Sequence, residues 1–339
     1  MSKKSRKRKK RIRKILIGAC GVLLLALLVL LTVLLIRLFS CGAKEASVDL
    51  SAASAVPTAA ATLLPTDPPA ATPTPYVTPV PKITDAWYAE RNEALTQHVR
   101  AFSGLTDEEA IQKRVEGMAI DPDQKMVAFT FDDGPRDELT DGVLDVCEQY
   151  NVRVTFFIKG AYIAGHEPQL KRMLALGCEI GNHTWDHLDI EKLTTEEMRY
   201  QIEQVDDTLY NVLGVRTKLF RPPYISYGQK GSDTRNALIE LMQKHGMAVI
   251  NHTRSTHDTY DNYTEDMIYE RMIAEKDESG YGLHKSIVLC HDKTQKTIGA
   301  FRRAVPVLLE QGYQLVTVSE LLNCSDEGFR VGAIYKKAD

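Results

Sequence analysis

Two adjacent carboxylates, Asp132 and Asp133, follow the apolar run Met126-Val127-Ala128-Phe129 and stand directly before Gly134-Pro135. Like charges side by side at the end of a buried strand cost free energy unless a cation or a shared proton compensates them. One of the pair can hold a metal while the other handles a proton. The competing reading is an Asp-rich turn, since Asp-Gly and Gly-Pro are common turn formers. His183-Thr184-Trp185-Asp186-His187 brings two imidazoles four residues apart, which fall on one side of a helical turn and can hold one ion together. With Asp133 they supply two nitrogens and one oxygen, which leaves coordination positions for water and substrate. The same donor count also fits a non-haem iron(II) oxygenase. Arg221-Pro222-Pro223-Tyr224 sets a guanidinium in a stiffened loop, where it would hold a nearby carboxylate ionised. In Leu289-Cys290-His291-Asp292, the histidine can titrate near neutral pH and donate a proton. Each of these taken singly has a plainer reading: a chance His pair, a Pro-rich turn, an ordinary buried leucine.

The elements that must position these residues read as an alternation. Apolar strand-like runs occur at 126–131, 153–158, 178–181, 217–221, 247–251, 286–291 and 313–317, with helix-like stretches between most of them. One helix, from Thr195 to Leu213, has Met198, Ile202, Val205, Leu209 and Val212 at helical spacing. It opens with the Thr194-x-x-Glu197 capping box and stops at Gly214. Gly177, Gly246 and Gly312 each stand where a helix should end before the next strand. Seven strands alternating with helices predict an α/β fold with parallel strands, as a barrel or an open sheet. In both, chemistry collects at the C-terminal strand ends, where the residues above lie.

Thr-Phe-Asp-Asp-Gly-Pro, His-Thr-x-x-His, Arg-Pro-Pro-Tyr and Leu-x-His, in this order, resemble the motifs of the polysaccharide deacetylases of the NodB-homology type (carbohydrate esterase family 4). The resemblance covers roughly residues 125–322. It implies a distorted (β/α) barrel of about seven parallel strands and metal-dependent removal of acetyl groups from N-acetylated sugars. By position, Asp133, His183 and His187 resemble the family's metal ligands and Asp132 its general base. Arg221 would orient Asp132, His291 would be the general acid, and the Tyr224 backbone N–H would help bind the oxyanion. Pro222 and Leu289 would belong to the substrate pocket, Leu289 facing the acetyl methyl. One divalent ion is implied, zinc first, with cobalt or another divalent metal as the alternative. The fourth family motif, Asp-x-x-Asp-Trp, departs here to Ser255-Thr256-His257-Asp258-Thr259. Asp258 matches the aspartate that tunes the general acid, with Asp261 as the alternative. The missing indole bears on substrate preference more than on the reaction. His252 and His257 read as loop residues.

The rest of the chain bears on location. Of 339 residues with a formal net charge of −3, nothing global points to nucleic acid. Residues 1–14 are strongly basic and would be cytoplasmic. Residues 15–37 read as an uncleaved transmembrane signal anchor: Ile15 to Ile36 is an uncharged run of about 22 residues, where about 20 span a bilayer core. Cleavage with lipidation at Cys41 is the rival reading. Residues 38–83, rich in Pro, Thr and Ala, form an extracytoplasmic linker that cannot bury a core and could extend on the order of 100 Å. Residues 84–124 should be helical and pack on the main domain, with Thr106-x-x-Glu109 as a capping box. Residues 125–322 form the deacetylase domain and 323–339 a C-terminal tail. Cys147, Cys178 and Cys290 read as buried thiols. The expected substrate is N-acetylglucosamine of peptidoglycan, with an O-acetyl xylan esterase or a catalytically decayed wall-binding homologue as alternatives. No obligate protein partner is implied.

Overall fold

A computed structural model describes residues 84–338; the basic block, the apolar run and the Pro/Thr/Ala-rich linker lie outside them. Among the described residues no helix is long and apolar enough to cross a membrane.

Nine parallel strands form the sheet among these residues: β1 (Lys125–Asp132), β2 (Thr155–Ile158), β3 (Glu179–Asn182), β4 (Leu219–Phe220), β5 (Ala248–Ile250), β6 (Arg254–Ser255), β7 (Ile287–His291), β8 (Tyr313–Leu315) and β9 (Ile334–Tyr335). Their order is β6-β7-β1-β2-β3-β4-β5-β9, and β8 pairs with the start of β1. The helices are α1 (Asp85–Phe102), α2 (Glu108–Glu116), α3 (Asp137–Tyr150), α4 (Glu167–Ala175), α5 (Thr195–Leu213), α6 (Asp233–His245), α7 (Glu265–Ile273), α8 (Gln295–Glu310) and α9 (Val318–Asn323). All seven expected strands are present. The count rises to nine because β6 and β9 are two-residue strands outside any longer apolar run, unlike the equally short β4.

The segment expected as a tail contributes to the barrel. Asn251 N–H donates to the Tyr335 carbonyl at 2.8 Å, Thr253 Oγ1 to the Lys336 carbonyl at 2.8 Å, and Ala338 N–H to the Lys285 carbonyl at 3.3 Å. The C-terminal segment thus bridges from β5 to the approach of β7, where the sheet would otherwise present bare edges.

Alternation along β1 explains how one strand serves both core and site. Val127, Phe129 and Phe131 point to the helix side and pack with Val143, Leu144, Phe301 and Val305. Phe301 lies 5.5 Å from Phe129 and 5.1 Å from Phe131 between ring centroids. Burying each such ring stabilises the fold by about 1.5–3 kcal/mol. Met126 and Ala128 take the opposite face, toward the barrel interior with Phe157, Leu219, Ala248 and Ile287. Thr130 and Asp132 continue that inner face by the two-residue period. The interior therefore turns from apolar to polar at the C-terminal end of β1.

Helix ends follow local chemistry. Thr194 and Glu197 form the reciprocal capping box that starts α5, and Gly214 closes it at φ 73°. Gly177, Gly246 and Gly312 all lie in the left-handed region, at φ 72°, 68° and 79°. One cap differs from expectation: α2 is capped by Asp107, whose carboxylate accepts from Ala110 N–H, and not by Thr106. A carboxylate one residue later meets the helix N-terminus directly and wins the position. Helices α1 and α2 form a small core of Leu95, Val99, Ile111, Val115 and Met118. Arg91 of α1 reaches the main domain, donating to Glu320 Oε1 at 2.7 Å.

Candidate active site

Register brings the chemistry together. Across the β1–β7 pair, Asp132 stands opposite His291. The His183 loop leaves the end of β3, and Arg221 follows β4 directly. All these residues sit at C-terminal strand ends, as the alternation requires.

Asp133 turns away from β1 in a left-handed conformation, φ 74°. His187 and Tyr224 are also left-handed, at φ 63° and 59°. Each such non-glycine residue costs about 1–3 kcal/mol and persists only where its surroundings fix it. Here they do. Asn182 donates to the Ile202 carbonyl at 2.8 Å and accepts from Thr184 N–H at 3.0 Å. Gln201 on α5 accepts from Asp186 N–H at 2.8 Å and donates to the Asp186 carboxylate at 2.9 Å. The His183–His187 loop is thereby clipped to α5.

The donor set fits a divalent metal. Ligand atoms of Asp133, His183 and His187 all lie within 4.8 Å of one another. Asp133 Oδ1 is 3.0 Å from His187 Nε2 and 3.5 Å from His183 Nε2. His183 Nδ1 lies 2.7 Å from the Arg221 carbonyl, which can only accept, so Nδ1 carries the proton and Nε2 keeps its lone pair for a ligand role. Burial pushes the Asp133 carboxyl up, but its neighbours His183, His187 and Lys293 outweigh it and hold the group far below the ordinary carboxylate range. Two imidazoles and one carboxylate form a set that Zn²⁺ and similar ions accept, with room left for further ligands.

Beside this triad lies a fully buried ion pair. Arg221 Nη1 donates to Asp132 Oδ1 at 2.7 Å and to Thr130 Oγ1 at 2.6 Å. Nε and Nη2 donate to the carbonyls of Ile250 and Asn251, both at 3.2 Å, and the guanidinium lies 4.1 Å from the Phe157 ring centroid. A buried charge pair persists only when its remaining donors are satisfied in this way. Burial lowers the Arg221 pKa by more than Asp132 raises it; a guanidinium starts so high that it stays charged.

On the other side stands His291. Its Nδ1 is 2.9 Å from Asp258 Oδ1, and its backbone N–H donates to Asp258 Oδ2 at 2.7 Å. Thr297 Oγ1 donates to the same Oδ2 at 3.0 Å. Asp258 thus fixes the ring through Nδ1 and leaves Nε2 for proton transfer. Burial lowers the His291 pKa, but the hydrogen bond and charge of Asp258, aided by Asp132 and Asp133, outweigh it and leave the value raised. Asp258, and not the exposed Asp261, meets His291 despite the departure of the surrounding motif.

The remaining expected residues are less tightly engaged. Tyr224 is 71% exposed and its ring sits edge-on to His187 at 4.9 Å. Pro222 is buried in the loop before it. Leu289 is nearly buried on β7, on the same strand face as His291 by the two-residue period. His257 is taken up by the Tyr263 hydroxyl, 3.0 Å from Nδ1. His252 is half-buried, and burial followed by the charge of Arg221 lowers its pKa to about 4. Cys147, Cys178 and Cys290 are buried free thiols.

Sequence reasoning passed over several residues that serve the site: Thr130 and Phe157 under the guanidinium, Thr297 behind Asp258, and Lys293, whose ammonium pairs with Asp133. Thr130 could have been found, as it lies two residues before Asp132 on the same strand face. The others come from neighbouring elements and carry no motif. A cavity of about 240 Å³ lies outside this constellation, lined by Arg254, Arg271 and Glu278 among others.

A family model described as polysaccharide deacetylase matches residues 119–238. The chain is 33% identical over 202 residues to the peptidoglycan-N-acetylmuramic acid deacetylase PdaC of Bacillus subtilis, covering 60% of this chain and 40% of that protein. The solved structure of PdaC superposes with a TM-score of 0.53 at 32% identity, covering 60% of this chain and 93% of the solved one. A bifunctional xylanase/deacetylase of Pseudobutyrivibrio xylanivorans is 33% identical over 201 residues, 58% of this chain and 30% of that one. A peptidoglycan-N-acetylglucosamine deacetylase of Bacillus cereus is 31% identical over 205 residues, 59% of this chain and 89% of its relative. The chain thus spans 40% and 30% of the length of PdaC and of the bifunctional enzyme, and most of the length of the Bacillus cereus protein. A barrel with Asp-His-His at one rim and these similarities together define its kinship: the chain belongs to the polysaccharide deacetylase family.

Proposed function

We propose that this protein is a membrane-anchored, metal-dependent deacetylase that removes N-acetyl groups from peptidoglycan, at N-acetylglucosamine residues, outside the cytoplasmic membrane. The observation that carries the reaction class is the apposition, at one barrel rim, of the Asp133-His183-His187 donor set with Asp132 and His291. A divalent ion held by the three donors, zinc first and cobalt as an alternative, supplies Lewis acidity that polarises the acetyl carbonyl and acidifies a water.

The protein's residues divide the remaining work. Asp132, oriented by Arg221 at 2.7 Å, accepts the proton of the attacking water. The Tyr224 N–H, in a loop stiffened by Pro222 and Pro223, donates to the developing oxyanion. His291, set by Asp258, donates a proton from Nε2 to the sugar nitrogen as the C–N bond breaks. The products are acetate and a free amine. Leu289 and the Tyr224 ring contribute the pocket wall. The Asp132–Arg221 and His291–Asp258 pairs separate this reading from an iron oxygenase, which has no use for a base on one side and an acid on the other.

The membrane anchor and the linker favour a wall polymer as substrate, in keeping with the peptidoglycan deacetylases among the relatives. The likeness to a bifunctional xylanase/deacetylase favours acetylated xylan as a second reading. Acetate release from peptidoglycan, chitin oligomers and acetylated xylan, assayed side by side with added Zn²⁺ or Co²⁺, separates the two. Peptidoglycan should be the best substrate; preference for acetylated xylan would overturn the choice of glycan.

A further inference from the structure

Asp133 uses its two oxygens differently. Oδ1 faces the imidazoles, at 3.0 Å from His187 Nε2 and 3.5 Å from His183 Nε2, while Oδ2 is ion-paired with Lys293 Nζ. We propose that Lys293 is a positioning residue that reserves Oδ2, so that Asp133 offers a divalent metal one oxygen and not two. The inference rests on the metal-dependent reading above.

A carboxylate with both oxygens free can ligate a cation through one or both. A second oxygen would fill a coordination position that water or the acetyl carbonyl needs. An ammonium has three donors and no acceptor, so it can occupy Oδ2 without competing as a ligand. Its charge also faces the metal's across a single carboxylate, and like charges repel. Both effects weaken metal binding, and the first keeps a position open for chemistry.

The chain holds Lys293 at this spot from both sides. Before it, Asp292 is fully buried and hydrogen-bonded by Thr140 Oγ1, and burial raises its pKa to about 6. Asp292 also packs so closely on Gly134 that no side chain fits at that position, which ties the lysine's segment to the Asp132-Asp133 turn. After it, Thr294 caps α8 by accepting from Thr297 N–H. The lysine side chain is 37% exposed, so its replacement leaves the core intact.

The test uses the full chain stripped of metal. Zn²⁺ and Co²⁺ affinities are measured by calorimetry against a competing chelator, and the visible spectrum of the Co²⁺ form is recorded, with thermal melts to verify folding. Lys293→Met should bind either ion more tightly, by about 10–100-fold, the size of the change that outer partners of a ligand usually produce but with the opposite sign to their usual loss. Its Co²⁺ absorption should weaken, because an added oxygen raises the coordination number. Lys293→Arg, which keeps a charged donor, should stay near wild type on both readouts. A lysine that only orients Asp133 predicts the opposite sign, weaker binding on removal. Unchanged or weaker affinity in Lys293→Met, an unchanged Co²⁺ spectrum, or an arginine variant that behaves like the methionine one would each overturn the proposal. A wild-type chain that binds no metal would overturn the metal-dependent reading together with it. One bound equivalent in wild type, with Lys293→Met unaltered, would overturn the lysine's role alone.

Discussion

At the scale of single residues, the proposed mechanism needs an acid and a base kept apart, and each candidate has its own partner. Asp132 is tied to a buried guanidinium and His291 to a buried carboxylate. The raised pKa of His291 has a direct kinetic consequence. A general acid works while protonated, so kcat/KM should fall on the alkaline side at a pH above the ordinary histidine value. Asp258→Asn removes the charge that holds the proton, while burial still acts to expel it. The alkaline limb should therefore move to lower pH, which a kcat/KM profile with N-acetylated chito-oligomers would record; an unmoved limb would detach Asp258 from the general acid. The carboxylate pair and the histidine pair were legible from the chain because their spacing is local, although a loop with Thr184 and His187 left-handed, and not the expected helical turn, brings the two imidazoles together. Lys293, Thr297 and Phe157 were not legible: they lie in the turn after β7, on α8 and on β2, and only the packed domain brings them to Asp133, Asp258 and Arg221.

At the scale of elements, α1 is tied to the rest of the domain through a buried charge network. Glu320 accepts from Arg91 Nε at 2.7 Å and from Arg153 Nε at 3.2 Å, and its Oε2 also accepts from Thr317 N–H at 2.9 Å in the capping box of α9. Glu320→Gln leaves two buried guanidinium groups undercompensated and should cost about 3–5 kcal/mol of unfolding free energy. Urea unfolding would measure it, and a loss below about 1 kcal/mol would show that the network is incidental. Burial raises the Glu320 pKa, but Arg153 and Arg91 outweigh it and leave the folded value below the ordinary one. Its contribution is therefore complete above the unfolded glutamate pKa and is lost as the pH falls through the folded value. The glutamine variant should lack that part of the acid destabilisation. Helices such as α5 were legible because cap, apolar stripe and terminal glycine agree. The cap of α2 was misassigned by one residue because Thr106 and Asp107 both fit the local pattern and only the helix geometry chooses. Strands β6 and β9 left no signal because, unlike the equally short β4 in the run 217–221, Arg254-Ser255 is polar and Ile334-Tyr335 sits between Gly332-Ala333 and two lysines.

At the scale of the whole molecule, a barrel domain follows a basic block, an apolar run and a Pro-rich linker. If Ile15 to Ile36 spans a membrane, the full chain should sediment with membranes and resist an alkaline carbonate wash. Recovery in the soluble fraction would remove the anchor from the account and with it the main argument for a wall polymer. The parallel α/β class was legible from seven alternating strands, which left barrel and open sheet both possible, whereas the pairing of the C-terminal segment with β5 was not, since that segment has no pattern apart from the edge it covers. The central claim is that Asp133, His183 and His187 hold a metal while Asp132 handles the proton of the attacking water. It is tested most directly by assaying wild type and Asp132→Asn together for acetate release from purified peptidoglycan and for bound metal. Wild type should release acetate and bind one divalent ion, and the variant should keep the ion while losing about 10²–10⁴-fold in turnover. Loss of the ion along with activity would mean that Asp132 is itself a ligand, and full activity in the variant would contradict the assignment outright.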